Sequence, residues 1–306
     1  ARVPHRDLSA GDAGPRPAGS TRVTGASSHA GPPVPERWTV LSMIEWSTAY
    51  LTGRGFDEAR LHAELLLAHV LGLNRLQLYL QFDRPLTAAE LASFKTLFRR
   101  RLEHEPLQYV LGETVFMGLP IAVAPGVLIP RPETELLVEE VVTYIRSLNE
   151  ERVNVLDVGT GSGNIAIAVA HLAPSAYVAA MEISPEAIAI ARRNVDRHAA
   201  ARVSLDLRDA RAGARPGEKY QVVVSNPPYI ARDEFEKLEP EVRVFEPRIA
   251  LTDEADGIDF YHTLFRLATE VLEPTGRLFC EIGYGQADRL RTLAATSGIE
   301  ILDIVP

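Results

Sequence analysis

Between Val222 and Ile230 the chain reads VVVSNPPYI, and Asn226, Pro227, Pro228 and Tyr229 interrupt an apolar run. Two successive prolines remove two backbone donors and fix two φ angles, so strand pairing must end at Asn226. A rigid corner then carries one amide and one aromatic ring. The side-chain oxygen of Asn226 and the carbonyl of Pro227 are two acceptors on a fixed frame, able to receive both hydrogens of a planar –NH2 group. Tyr229 can cover the face of that group. Such a corner suits a nitrogen that is a poor nucleophile. The nitrogen needs alignment, and acceptors that favour its N–H bonds as charge develops, more than it needs a strong base.

A second motif lies upstream. NVLDVGTGSGNIAIAVA reads as a buried strand, a turn made of Gly159, Thr160, Gly161, Ser162 and Gly163, and an apolar helix. Glycines there let the backbone approach a ligand and point the free N–H groups of the helix at it. Glu182 closes the following strand, AYVAAME, where it can accept both hydroxyls of a ribose. Two cofactors fit this spacing. A dinucleotide fingerprint read from Gly159 fails at Asn164, yet read from Gly161 it survives at Ala166. Asp157 tilts the choice, because the run Asp-x-Gly-x-Gly-x-Gly resembles the S-adenosylmethionine loop of class I methyltransferases. In that group the acid lies near the methionine part of the cofactor.

These residues need a scaffold, and the hydrophobic pattern supplies one. From residue 133 strands are expected at 153–158, 177–182, 203–207, 220–225 and 276–282. Helices are expected near 134–148, 163–173, 185–199, 258–272 and 285–296. This alternation is the signature of an α/β fold: a Rossmann-like, doubly wound, mostly parallel sheet. The strand from Tyr220 becomes the fourth, beside the first at the switch in strand order, and Asn226 then faces the reactive end of the cofactor, as a cofactor-binding as well as a substrate-binding residue. Residues 37–105 read as a small helical domain, in which Thr87 and Glu90 form a capping box. Residues 106–132 read as an extended linker with a β-hairpin near Gly118, and residues 1–36 as a disordered, dispensable tail rather than a secretory signal.

Composition narrows the partners. Of 306 residues, 46% are apolar and 24% charged, and no apolar run approaches the roughly 20 residues of a membrane span. A formal net charge of −9 disfavours a broad surface for nucleic acid. The lone cysteine, Cys280, reads as a small core side chain, and the eight histidines show no metal-ligand spacing, so no metal is expected.

Seven segments together resemble one family: RLHAELLLAHVLG, EPLQYVLGE, VLIPRPETELLVE, the glycine loop, VVVSNPPYI, VRVFEPRIAL and GRLFCEIGYGQ. They are similar to the release-factor glutamine methyltransferases, the PrmC/HemK group, over about residues 38–306. LIPRPETE is the most specific of them. The resemblance implies methyl transfer from S-adenosylmethionine to the N5 amide nitrogen of the glutamine in the Gly-Gly-Gln motif of class 1 peptide-chain release factors, leaving S-adenosylhomocysteine. It assigns glutamine binding to Asn226, Pro227, Pro228 and Tyr229, and the cofactor to Gly159–Gly163 and Glu182. Asp209 and Ala210 fall at the adenine edge, Phe116 near the substrate pocket, and Arg131 in the interdomain segment. It further implies a monomer in the bacterial cytoplasm, or in an organelle.

Two departures accompany the likeness. Ala210 stands where relatives often have an aromatic, so adenine stacking is expected to be weaker or to come from the neighbourhood of Leu207. The chain also ends at Pro306, inside what reads as a sixth strand, which would leave one sheet edge exposed. The rival enzyme reading is an adenine-N6 nucleic-acid methyltransferase, since the same corner can hold the exocyclic amine of a flipped base. A third is a cofactor-binding adaptor without activity, which an intact Asn226 disfavours.

Overall fold

The computed structural model describes residues 32–305. The expected tail lies outside the described residues up to residue 31. At Pro32 the chain already meets the helical unit, where the Trp46 indole donates to the Pro32 carbonyl at 3.1 Å. Four helices follow: α1 (Val40–Gly53), α2 (Ala59–Leu71), α3 (Arg75–Tyr79) and α4 (Ala88–Leu102). The Thr87 hydroxyl accepts from the Glu90 N–H at 3.3 Å while the Glu90 carboxylate accepts from the Thr87 N–H at 2.8 Å, a capping box. Leu51, Leu66, Leu67, Phe94 and Phe98 close a core of their own between these helices.

The linker departs from the extended reading at its start. Leu107–Leu111 forms a short helix, α5, which ends at Gly112 with φ +81°. Leu107, Tyr109 and Val110 are all buried, and a helical turn lets these near neighbours face inward together where alternation along a strand would not. The hairpin then forms as expected, with β1 (Glu113–Phe116) antiparallel to β2 (Leu119–Ala122). Its two turn residues, Met117 and Gly118, have φ of 50° and 74°, the twist that a two-residue hairpin requires.

The remaining elements alternate: α6 (Glu133–Leu148), β3 (Val153–Val158), α7 (Asn164–Leu172), β4 (Ala176–Glu182), α8 (Pro185–Arg197), β5 (Val203–Leu207) and β6 (Tyr220–Ser225). Three short helices follow the proline corner: α9 (Arg232–Phe235), α10 (Pro240–Phe245) and α11 (Arg248–Leu251). Then come α12 (Asp259–Val271), β7 (Leu272–Cys280) and α13 (Ala287–Ser297). The sheet is parallel throughout, in the order β5-β4-β3-β6-β7. Residues 299–305 carry no strand.

Both faces of the sheet are covered, as its near-continuous apolar strands demand. Val153, Val155, Val222 and Val224 pack with α6, α7 and α8. Leu156, Val158 and Val223 pack with α12 and α13 on the other side. Cys280, expected in a core strand, is half-buried on β7 at the sheet's edge. Among the described residues no helix is long and apolar enough to cross a membrane.

Candidate active site

Strand register brings the two motifs together. Asp157 pairs with Val224 across β3 and β6, and Val158 with Met181 across β3 and β4. Continuing one or two residues past these pairs places Glu182, Gly159 and Asn226 in one row across the carboxyl ends of three adjacent strands. That is where doubly wound sheets hold ligands. The Ser225 hydroxyl ties the row by donating to the Val158 carbonyl at 2.7 Å.

A cavity of about 360 Å³ opens above this row. Its wall contains Gly159, Thr160, Gly161, Ser162, Glu182, Asp209, Ala210, Arg131, Asn226, Pro227 and Pro228, all expected from the sequence. Gly159 and Gly161 have φ of 75° and 55°, and a Cβ at either would meet nothing within 4 Å. The backbone of the loop is thus bare toward the ligand. Gly163, by contrast, presses on α8: a Cβ there would lie 3.4 Å from that of Ala191. Its absence of side chain serves helix packing.

Glu182 is more committed than a free ribose acceptor. One of its oxygens accepts from the Gly161 N–H at 2.9 Å, and the other from the N–H groups of Ile183 and Ser184 at 2.8 and 2.9 Å. A carboxylate has about four lone-pair sites, so roughly one is left for a ligand hydroxyl. Glu182 shapes the loop as well as facing the cavity.

Four expected site residues lie behind the wall. Phe116 is buried in the core, because the strand alternation that exposes Val115 turns Phe116 inward. Gly163 packs against α8, as described. Tyr229 points away from the cavity, and its hydroxyl donates to Glu281 at 2.9 Å. Asp157 is fully buried beneath the loop, where it accepts from the Thr160 hydroxyl at 2.6 Å and its other oxygen has no partner. Leu207, expected near an adenine site, is exposed and outside the wall, whereas Ile183 and Phe260 are among the apolar residues that share the wall with Ala210.

Burial pushes the Asp157 carboxyl up to about 7, the nearby Glu182 charge adds to this, and the Thr160 hydrogen bond opposes it. The unfolded chain releases this proton near the ordinary 3.8, the folded chain near 7. The folded state therefore binds more protons in that window, and its stability falls as pH rises through it, levelling above about 7. Thermal melts of the ligand-free chain between about pH 5 and 8 should show this fall, and Asp157→Asn should flatten it. Parallel pH profiles for the two proteins would show that Asp157 does not titrate as described.

Several residues of the site had no role in the sequence reading. The Asn226 Nδ2 group donates to the Thr134 hydroxyl at 3.1 Å, and that hydroxyl donates to Glu281 Oε2 at 2.7 Å. Glu246 is buried; its carboxylate accepts from the Ile129 N–H at 3.0 Å and pairs with Arg131 at 2.5 Å, fixing the segment that leads into α6. Gln286 donates to the carbonyls of Tyr229 and Gly257 at 2.8 and 3.1 Å, and any Cβ at Gly257 would collide with that Tyr229 carbonyl. Asn194 joins β2 to the glycine loop, donating to Ala122 and Ser162 carbonyls at 3.0 and 2.8 Å. The buried Arg101 of α4 pairs with Glu241 of α10 at 2.5 Å, so the helical unit leans on the segment that follows the corner.

Residues 42–112 match the PrmC N-terminal domain and residues 132–241 the methyltransferase small domain. The release factor glutamine methyltransferase of Geobacter sulfurreducens is 44% identical over 264 residues, which cover 86% of this chain and 91% of that protein. The chain belongs to the release factor glutamine methyltransferase family. Its relative in Chlorobaculum tepidum is 40% identical, covering 86% of this chain and 92% of that protein. The family member in Burkholderia pseudomallei is 45% identical over 78% of this chain and 84% of its own length. A looser structural likeness is to the ribosomal protein L11 methylase of Lactobacillus delbrueckii subsp. bulgaricus, at 21% identity and a TM-score of 0.44, over 61% of this chain and 79% of that one.

Proposed function

We propose that the chain methylates the side-chain amide nitrogen of the glutamine in the Gly-Gly-Gln motif of class 1 peptide-chain release factors. The observation that carries this reading is the shared row of Glu182, Gly159 and Asn226, which sets an amide acceptor in the wall of a glycine-lined cavity. S-adenosylmethionine, bound in that cavity, supplies an electrophilic methyl group. The bare backbone at Gly159 and Gly161, the remaining lone pair of Glu182, and the apolar side chains of Ile183, Ala210 and Phe260 suit its ribose, adenine and methionine parts.

At the corner, Asn226 Oδ1 and the Pro227 carbonyl accept the two N–H bonds of the substrate amide and aim its nitrogen along the cavity. As the nitrogen takes the methyl group its N–H bonds become more acidic, so both acceptors hold them more tightly than in the ground state. The S–CH3 bond would break as the N–CH3 bond forms, leaving S-adenosylhomocysteine, and one of those protons would pass to solvent water. Tyr229 supports the corner from behind instead of covering the substrate, and Arg131, on the cavity wall and paired with Glu246, keeps further N–H donors for a carbonyl of the substrate backbone. A release-factor substrate fits an enzyme that works where translation occurs, in the bacterial cytoplasm or in an organelle.

The test offers labelled S-adenosylmethionine, a purified release factor and duplex DNA to the chain together. Label is expected in the release factor and absent from DNA. Label confined to DNA adenine would instead support the nucleic-acid reading.

A further inference from the structure

We propose that Thr134 and Glu281 are positioning residues that fix which end of the Asn226 amide faces the cavity. This rests on the function proposed above, in which Asn226 must present an acceptor. An asparagine amide is nearly symmetric in shape, so its oxygen and NH2 ends can exchange by a half-turn with little steric cost. A flipped amide would set donor against donor and repel the substrate nitrogen. Something must select the orientation.

The selection is made by a chain of hydrogen bonds whose direction starts at an acceptor. The Glu281 carboxylate has only lone pairs to offer. It receives the Tyr229 hydroxyl on Oε1 at 2.9 Å and the Thr134 hydroxyl on Oε2 at 2.7 Å. Thr134 has one hydroxyl proton, and with that proton committed to Glu281 its oxygen can only accept. The Asn226 group 3.1 Å away must therefore be the NH2 end, which leaves Oδ1 directed elsewhere. Each member is held independently. Thr134 is buried in the first turn of α6. The Glu281 backbone donates to the Ser225 carbonyl at 3.1 Å and accepts from the Tyr261 hydroxyl at 2.8 Å. Burial and the Glu281 charge raise the Tyr229 hydroxyl far above its ordinary range, so it stays a donor. This gives the tyrosine of the corner a role although it lies behind the cavity wall.

Single-turnover methyl transfer to a release factor, at saturating S-adenosylmethionine, tests the proposal in four proteins: wild type, Thr134→Val, Thr134→Ser and Glu281→Gln. Valine keeps the shape of threonine but removes the acceptor, so transfer should slow about tenfold, the equivalent of one preorganised hydrogen bond. Thr134 lies on the cavity wall, but valine keeps its shape there and neither residue bonds the glycine loop, so cofactor affinity by calorimetry should stay within about twofold. Serine restores the hydroxyl and should return the rate to within about threefold of wild type. Glutamine at 281 can donate as well as accept, which lets the chain run in either direction, and should slow transfer about three- to tenfold. Wild-type transfer by Thr134→Val, failure of serine to rescue, or a parallel loss of cofactor affinity would each overturn the proposal. A wild-type chain that leaves the release factor unmethylated would remove the functional reading, and this inference with it.

Discussion

Replacing Asn226 by alanine is expected to slow methyl transfer by about 10²–10³, or roughly 2.7–4 kcal/mol of transition-state stabilisation, as for removal of one preorganised partner at a developing charge. In the proposed function Asn226 Oδ1 accepts from the substrate amide before reaction and more strongly as the nitrogen becomes positive, so the loss should fall on the rate at saturation. Cofactor affinity should change little, since the glycine loop is built by Glu182, Asp157 and Asn194 without help from Asn226. Asn226→Asp is the sharper variant. It keeps an acceptor toward the cavity but also offers a carboxylate to Thr134, whose one hydroxyl proton Glu281 already holds. Partial activity, between alanine and wild type, is the expected result of that competition. Single-turnover rates of the three proteins decide it, and wild-type transfer by the alanine variant would mean that the corner only ends a strand.

The second large effect is expected at Glu182. Alanine there should weaken S-adenosylmethionine binding by about 1.5–3 kcal/mol, the range for hydrogen bonds to a charged group, while slowing transfer at saturation much less. Ribose contacts are the same in ground and transition states, so they contribute to affinity and not to the chemical step. The substitution also strips an acceptor from the N–H groups of Gly161, Ile183 and Ser184, which loosens the loop before any cofactor arrives. Glu182→Gln retains one oxygen and should lose less than alanine. Calorimetric titration reads both values, and an unchanged affinity for Glu182→Ala would remove it from the cofactor site.

Much of this was legible in the sequence where one residue type at one spacing has one physical consequence. The valine runs at 153–158 and 220–225 stop at glycine and asparagine, and the strands stop there too. The strand expected at 276–282 begins four residues earlier and ends two earlier, at Leu272–Cys280: it passes through Pro274 and Gly276 with irregular pairing, Tyr220 to Leu272 and then Val222 to Arg277. Helices α5, α9, α10 and α11 have six residues or fewer, too short to show a 3.6-residue period.

The site was legible in the motifs that line it and not in the contacts that orient them, Thr134 on the wall included. Asp157 shares the face of Val153 and Val155, and a strand whose opposite face, Leu156 and Val158, is also core leaves no outward side for it; that was the available signal that it would lie under the loop. No comparable signal existed for Thr134, Glu281 and Gln286. Each sits in a segment that carries the family resemblance. Yet Thr134 meets Asn226 across 92 residues and Glu281 across 147, and a hydrogen bond between distant residues leaves no local pattern. Donor and acceptor bookkeeping could assign those roles only once the fold had brought the groups together.

The central claim is that the methyl group arrives on one glutamine nitrogen. Peptide mapping by fragmentation mass spectrometry, on a release factor incubated with the chain and S-adenosylmethionine, tests this most directly. The expected result is a mass gain of one methylene on the glutamine of the Gly-Gly-Gln peptide, recovered as N5-methylglutamine and absent with Asn226→Ala. An unmodified Gly-Gly-Gln peptide, or a methyl group carried by any other residue, would contradict the account.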